Sequence, residues 1–153
     1  MVKLFLKGQS SLEYMFIVAL TLTIIIPATY LFYSYSRDSG QDITDAQLTK
    51  LGRNIVDSAE TIFYSGIGSK TTVDVTVPSG VLSTVIIDGR ELVFNVSTNI
   101  GVSEIVFFSS VNITTDSSKC NANICQIPGL SETGVKKLKI ESISKDSVSI
   151  NTI

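Results

Sequence analysis

The chain has no histidine and no tryptophan, only two cysteines, and three prolines in 153 residues. Without histidine it lacks the commonest general base, the commonest metal ligand and any ordinary protonation switch near neutral pH. A Ser-His arrangement is therefore excluded, and nothing around its serines and lysines suggests a Ser-Lys nucleophile. Two cysteines with no histidine cannot complete a structural zinc site. Asp42, Asp45 and Asp116 do not supply the run of oxygen ligands that a calcium loop needs. Gly66-Ile67-Gly68 lacks the rest of either phosphate-binding pattern. A net charge of −2 without a basic cluster argues against nucleic acid as a partner. These absences lead to the expectation of a chain that is not an enzyme and carries no cofactor or metal.

What is present is concentrated at the start. Met1 to Gly8 carries Lys3 and Lys7 and no acid, and from Tyr14 to Tyr33 no residue is charged for 20 positions. As a helix that run measures about 30 Å, enough to cross the hydrocarbon core of a bilayer. The two lysines place the N-terminus on the cytoplasmic side and everything after Arg37 outside. Tyr30, Tyr33 and Tyr35 fall where an outer interfacial aromatic belt belongs. Pro27 interrupts the run and should bend a membrane helix rather than end it.

Three readings of this N-terminus compete. A secretory signal fits poorly, because the apolar run is too long and lacks a small-x-small cleavage site at its far end. A simple signal anchor explains the run but not Gly8 or Glu13. The third is cleavage after Gly8, which removes both lysines and leaves a charged α-amino group on Gln9. Glu13, a lone carboxylate at the edge of lipid, then has a function: it neutralises the amine of a neighbouring subunit. Lys7-Gly8-Gln9-Ser10-Ser11-Leu12-Glu13 before a membrane-length run resembles the class III signal peptide of type IV pilin-like proteins, and the Gln9 start resembles the archaeal ones. The resemblance covers about the first 35 residues. It implies a prepilin peptidase cutting between Gly8 and Gln9 on the cytoplasmic face. It also implies residues 10–32 packed with like subunits in a helical filament, assembled by a pilus ATPase and membrane platform.

Beyond the apolar run, Leu48, Leu51, Ile55, Ala59 and Ile62 recur at spacings of three and four, with Lys50, Arg53, Asp57 and Glu60 off that stripe. This predicts an amphipathic helix ending near Gly66. Thr44-Asp45-Ala46-Gln47 matches a capping box, so one long helix with a weak point near Gly40 is expected. Its stripe should cover the domain that follows. From Lys70 the period becomes two, and strands are predicted over 70–77, 81–87, 91–97, 103–109, 135–143 and 148–150. Asp88-Gly89 signals a two-residue hairpin, and Asn99 to Gly101 another turn. The continuous apolar run Ile105 to Phe108 predicts a central strand buried on both faces. Val111 to Thr114 either continues that strand or pairs separately, and Thr115 to Gly134 reads as a long surface excursion. The expected class is α+β: a pilin-like long N-terminal helix, transmembrane in its first half and amphipathic in its second, packed on an antiparallel sheet of five to seven strands or a small sandwich. The expected organisation is a leader at 1–8, a membrane or filament-core helix at 9–33, its amphipathic continuation at 34–65 and an extracellular β-domain at 66–153.

Two smaller features bear on that domain. Cys120 and Cys125 lie five residues apart. Outside the membrane a disulfide between them is allowed, and it would stabilise by at most about 2 kcal/mol on the chain-entropy estimate. Asn95-Val96-Ser97 and Asn112-Ile113-Thr114 are N-glycosylation sequons, Asn112 being the better placed because it falls at a strand boundary. Glycosylation is also what the pilin resemblance implies. Two functions of different class follow. One is a filament subunit at the cell surface. The other is a membrane-anchored binding module or minor pilin, for which the 115–134 excursion with its clip would supply the contacts.

Overall fold

A computed structural model describes residues 3–98 and 101–153, with side chains from residue 12 onward apart from 37 and 38. Helix α1 spans Lys3–Tyr64, 62 residues, and runs through Pro27 and Gly40 without interruption. Thr44 to Gln47 therefore lies inside the helix instead of capping a new one. Pairwise contacts nevertheless divide the chain into two units, 1–42 and 43–153, with the boundary just past Gly40. The helix stops where expected: Gly66 adopts φ +100°, and its N–H reaches back to the carbonyl of Phe63 at 3.2 Å.

The described residues of the first unit are all helical. The side chains from Leu12 to Ser36 are exposed in a single copy, and the helix is long and apolar enough to cross a membrane. Threonine hydroxyls in the run are satisfied locally. Thr21, Thr23 and Thr29 each donate at 2.8 Å to the carbonyl four residues back, so none needs a partner outside the helix.

Among the described residues the second unit combines the end of α1 with nine strands. These are β1 (Lys70–Val77), β2 (Val81–Ile87), β3 (Glu91–Thr98), β4 (Gly101–Phe108), β5 (Asn112–Thr114), β6 (Cys120–Asn121), β7 (Ile124–Gln126), β8 (Gly134–Ser142) and β9 (Ser147–Thr152). They form a four-stranded sheet, β1-β8-β9-β5, and a five-stranded sheet, β4-β3-β2-β7-β6. All neighbours are antiparallel except β5 and β9, which run parallel. The α+β class is as expected, and of the two arrangements expected, one sheet or a small sandwich, the strands form two sheets around one core. Val75, Leu138 and Ile150 from one sheet share that core with Ile86, Leu92 and Phe94 from the other.

The helix completes this core. Leu48, Leu51, Ile55, Ala59 and Ile62 are buried as their spacing predicts, joined by Val56. Each fully buried Leu or Ile contributes about 1.5–3 kcal/mol relative to exposure. Gly52 allows the closest approach: the ring of Phe107 on β4 lies over it, where a β-carbon would collide.

Three local expectations are corrected. First, β4 is an edge strand, not a central one. Its apolar run splits by the strand period, so that Ile105 and Phe107 turn toward the core while Val106 and Phe108 point outward, 38% and 72% exposed. Second, the hairpin after β2 has a three-residue connection, Asp88-Gly89-Arg90, because Ile87 pairs with Glu91. Asp88 and Gly89 both take positive φ, and the Arg90 N–H bonds to the Ile87 carbonyl at 3.1 Å. Third, residues 115–134 are not a free surface excursion. They contain β6, β7 and two 3₁₀ turns, Ser117–Lys119 and Pro128–Ser131, and they bury Ile127 and Leu130. The expected turn at Asn99 to Gly101 falls at residues 99 and 100, outside those described.

Candidate functional site

The N-terminal candidates lie on one helix. Gly8, Gln9 and Glu13 all fall within α1. Gln9 and Glu13 are four positions apart, hence on the same face. The surroundings of Gly8 and the side chain of Gln9 lie outside what the structure describes; the side chain of Glu13 is exposed, at the start of the uncharged run. Pro27 has no N–H, so the carbonyl of Thr23, four residues before it, lacks its usual intrahelical donor. Apart from that point the run offers neighbours mostly apolar side chains, with the hydroxyls of Tyr14, Tyr30 and Tyr33 near its two ends.

Cys120 and Cys125 form a disulfide, and no free cysteine remains among the described residues. The two cysteines are direct partners across the β6–β7 pair, and Cys125 packs against the core. The clip thus fastens a short hairpin whose second strand extends the five-stranded sheet through Ile86↔Cys125.

The two sequon asparagines meet different surroundings. Asn95, in the middle of β3, is partly buried; its amide donates to the Ser83 hydroxyl at 2.9 Å, and its carbonyl oxygen is buried with no partner. Asn112 is exposed at the first position of β5. Its side-chain oxygen rests against Gly89, at a spot only glycine leaves open. The neighbouring Ile113 N–H bonds to the Gly89 carbonyl at 2.7 Å, tying β5 to the β2–β3 turn. Asn112 lines a shallow polar recess of about 390 Å³ with Asp88, Gly89, Asn123 and Ser147. That recess has one carboxylate and no base. A second depression, about 310 Å³, runs between α1 and β1 beside Gln47, Lys50 and Asp74. Among the described residues no group of three His, Cys, Asp or Glu is placed to hold a metal ion.

The outer faces of the two sheets differ, which was not anticipated from the sequence. Strand alternation turns Lys70, Thr72 and Asp74 of β1 outward with Lys137, Lys139 and Glu141 of β8, paired across the strands. Lys137 and Asp74 form an ion pair at 3.8 Å, and Lys139 pairs with Glu141 at 2.5 Å. On the other sheet the outward positions include Val85 and Ile87 of β2, Val93 of β3, and Val102, Val106 and Phe108 of β4, with Ser83, Asn95 and Ser97 as the uncharged polar ones among them. The only charges at outward positions of β2, β3 and β4 are Glu91 and Glu104. The signal was present: β2 to β4 carry apolar residues at both parities where a hydrated strand alternates.

Glu60 links the helix to this region. Its carboxylate accepts from the Ser110 N–H at 2.9 Å and from the Ser110 hydroxyl at 2.8 Å. Those two donors, the backbone one foremost, hold its carboxyl below the usual carboxylate range. Compared with known proteins, the chain matches no family model, no curated protein and no solved structure.

Proposed function

We propose that the chain is the structural subunit of a type IV pilus-like filament of the archaeal kind, stored in the membrane and assembled through its N-terminal helix. One observation carries this reading. An apolar helical surface from Leu12 onward, exposed in a single copy, follows a Gly8-Gln9 step and begins with one isolated carboxylate, Glu13. A prepilin peptidase cuts between Gly8 and Gln9, removing Lys3 and Lys7 and creating the Gln9 amine. Subunits leave the bilayer because the helix exchanges lipid contacts for contacts with other helices at little cost in apolar burial. Pairing of Glu13 with a neighbour's Gln9 amine sets axial register, since either charge alone in those surroundings costs a few kcal/mol. A pilus ATPase and its membrane platform drive extraction. The β-domain then forms the outer surface, outside the cell, with its disulfide intact. Of the two sequons, Asn112 is the glycan acceptor, being exposed while the Asn95 amide is engaged with Ser83.

The test joins mass spectrometry of the native N-terminus to electron microscopy of material sheared from the cell surface. The expected results are a mature chain starting at Gln9 and filaments containing it. An intact Met1 confined to membranes would sink the proposal. Glu13→Val should leave cleavage in place and abolish filaments; ordinary filaments from that variant would remove the role given to Glu13.

A further inference from the structure

We infer that the outer face of the five-stranded sheet is a contact surface for a second copy of this chain, docking on the lysine-bearing outer face of that copy's four-stranded sheet. The contrast between the two faces is the starting point. An antiparallel sheet that faces water alternates apolar-in with polar-out. The four-stranded sheet does so apart from Val135, with one cross-strand ion pair, Lys137–Asp74, and one along β8, Lys139–Glu141, on its outside. The five-stranded sheet instead places Val85, Ile87, Val93, Val102, Val106 and Phe108 outward, with only Ser83, Asn95, Ser97 and two glutamates between them. Val102 is 66% and Phe108 72% exposed, whereas Val93, which points away from the core, is only 3% exposed.

Charge selects the occupant. The apolar face carries Glu91 and Glu104 outward on β3 and β4, with no Lys or Arg at an outward position of β2, β3 or β4. The opposite face carries Lys70, Lys137 and Lys139 against Asp74 and Glu141, an excess of positive charge. Lysine stems lie along apolar surface while their ammonium groups reach acids at its rim, so the second face suits the first. The two faces turn away from a shared core, so the contact is heterologous and propagates from copy to copy in an open array.

Size decides what kind of contact this is. Four strands about 4.8 Å apart and roughly six residues long present about 400 Å². A standard stable interface needs about 800 Å² from each partner. The face is too small to hold a free partner, but it is sufficient between copies whose helices are already packed together. The inference therefore rests on the filament reading and adds the lateral contact between β-domains.

Val106→Lys and Phe108→Lys test it, because both side chains already point outward. Each variant chain should be processed and inserted, and should fold with an unchanged circular dichroism spectrum. Filament yield should fall by about ten-fold, the loss expected from one interface anchor. In parallel, Val106→Cys supplies a single free thiol, as Cys120 and Cys125 are bonded to each other. A membrane-impermeant maleimide should label it in the membrane-stored form and not in filaments. Filaments in normal yield from the lysine variants, with the thiol still labelled, would overturn the contact and leave the filament reading standing. If a lysine variant does not fold, the labelling result decides alone. If the unsubstituted chain makes no filaments, both the reading and the contact fall.

Discussion

Glu60 shows how much one exposed-side residue contributes to joining helix and sheet. It lies beside the buried stripe of α1, next to Ala59, yet its carboxylate reaches away to hold Ser110, which follows β4, by two hydrogen bonds. Both donors favour the ionised form and lower the folded-state pKa below the unfolded value. The stabilisation is therefore fully present above the ordinary carboxylate range and is lost as pH falls through the lowered folded value. Glu60→Gln keeps an acceptor oxygen but removes the charge. With solvent screening at this partly exposed site, the expected cost is about 0.5–1 kcal/mol at neutral pH. The difference between variant and parent should shrink as the medium is acidified. Urea melts at several pH values check this, and a difference that grows toward acid would mean that the Ser110 donors do not favour the ionised carboxylate.

At the scale of elements, the clipped hairpin β6–β7 is the weakest part of the five-stranded sheet. Its strands are two and three residues long, and only β7 pairs with β2. Replacing both cysteines by serine should cost about 2 kcal/mol on the chain-entropy estimate. Hydrogen exchange should show the loss first at Ile124 to Gln126, while β1 and β8, paired over eight positions, stay protected. This hairpin also shows where sequence reading reaches its limit. The strands of β1, β2 and β8 are legible because seven to nine residues carry a clear period or firm turn signals at both ends. Residues 120–126 are too few to show a period, and their strands are defined by pairing, β7 against the edge of β2 and β6 against β7. Ile105 to Phe108 fails for a different reason. A run apolar at both parities looks the same whether its second face is covered by protein or waits for a partner, so a surface strand reads as a buried one. The helix stripe was legible residue by residue because a period near 3.6 over fifteen positions admits no other element. For the candidate sites, Glu13 stood out by its isolation, whereas the asymmetry of the sheet faces needed strand pairing that the sequence does not display.

At the scale of the whole molecule, the chain carries two surfaces with opposite demands. Among the described side chains of residues 1–42 none is buried, and the apolar surface from Leu12 to Ser36 is exposed. Residues 43–153 enclose a core to which α1 contributes Leu48, Leu51, Ile55, Val56, Ala59 and Ile62. The boundary between the two units therefore lies inside the helix, just past Gly40, and not at Gly66 where helix gives way to strand. A fragment of residues 43–153 should be soluble and should unfold in one cooperative transition, since it keeps every buried side chain of the core cluster. A fragment beginning at Gly66 loses the six helical side chains. At roughly 1.5–3 kcal/mol for each of the larger ones, that loss is as large as the 5–15 kcal/mol by which a domain is ordinarily stable. It should bind hydrophobic dyes and lack a thermal transition. Circular dichroism melts of the two fragments check the pair. A cooperative transition in the shorter one would show that the sheets alone hold the domain, and that the helix is a passenger on it.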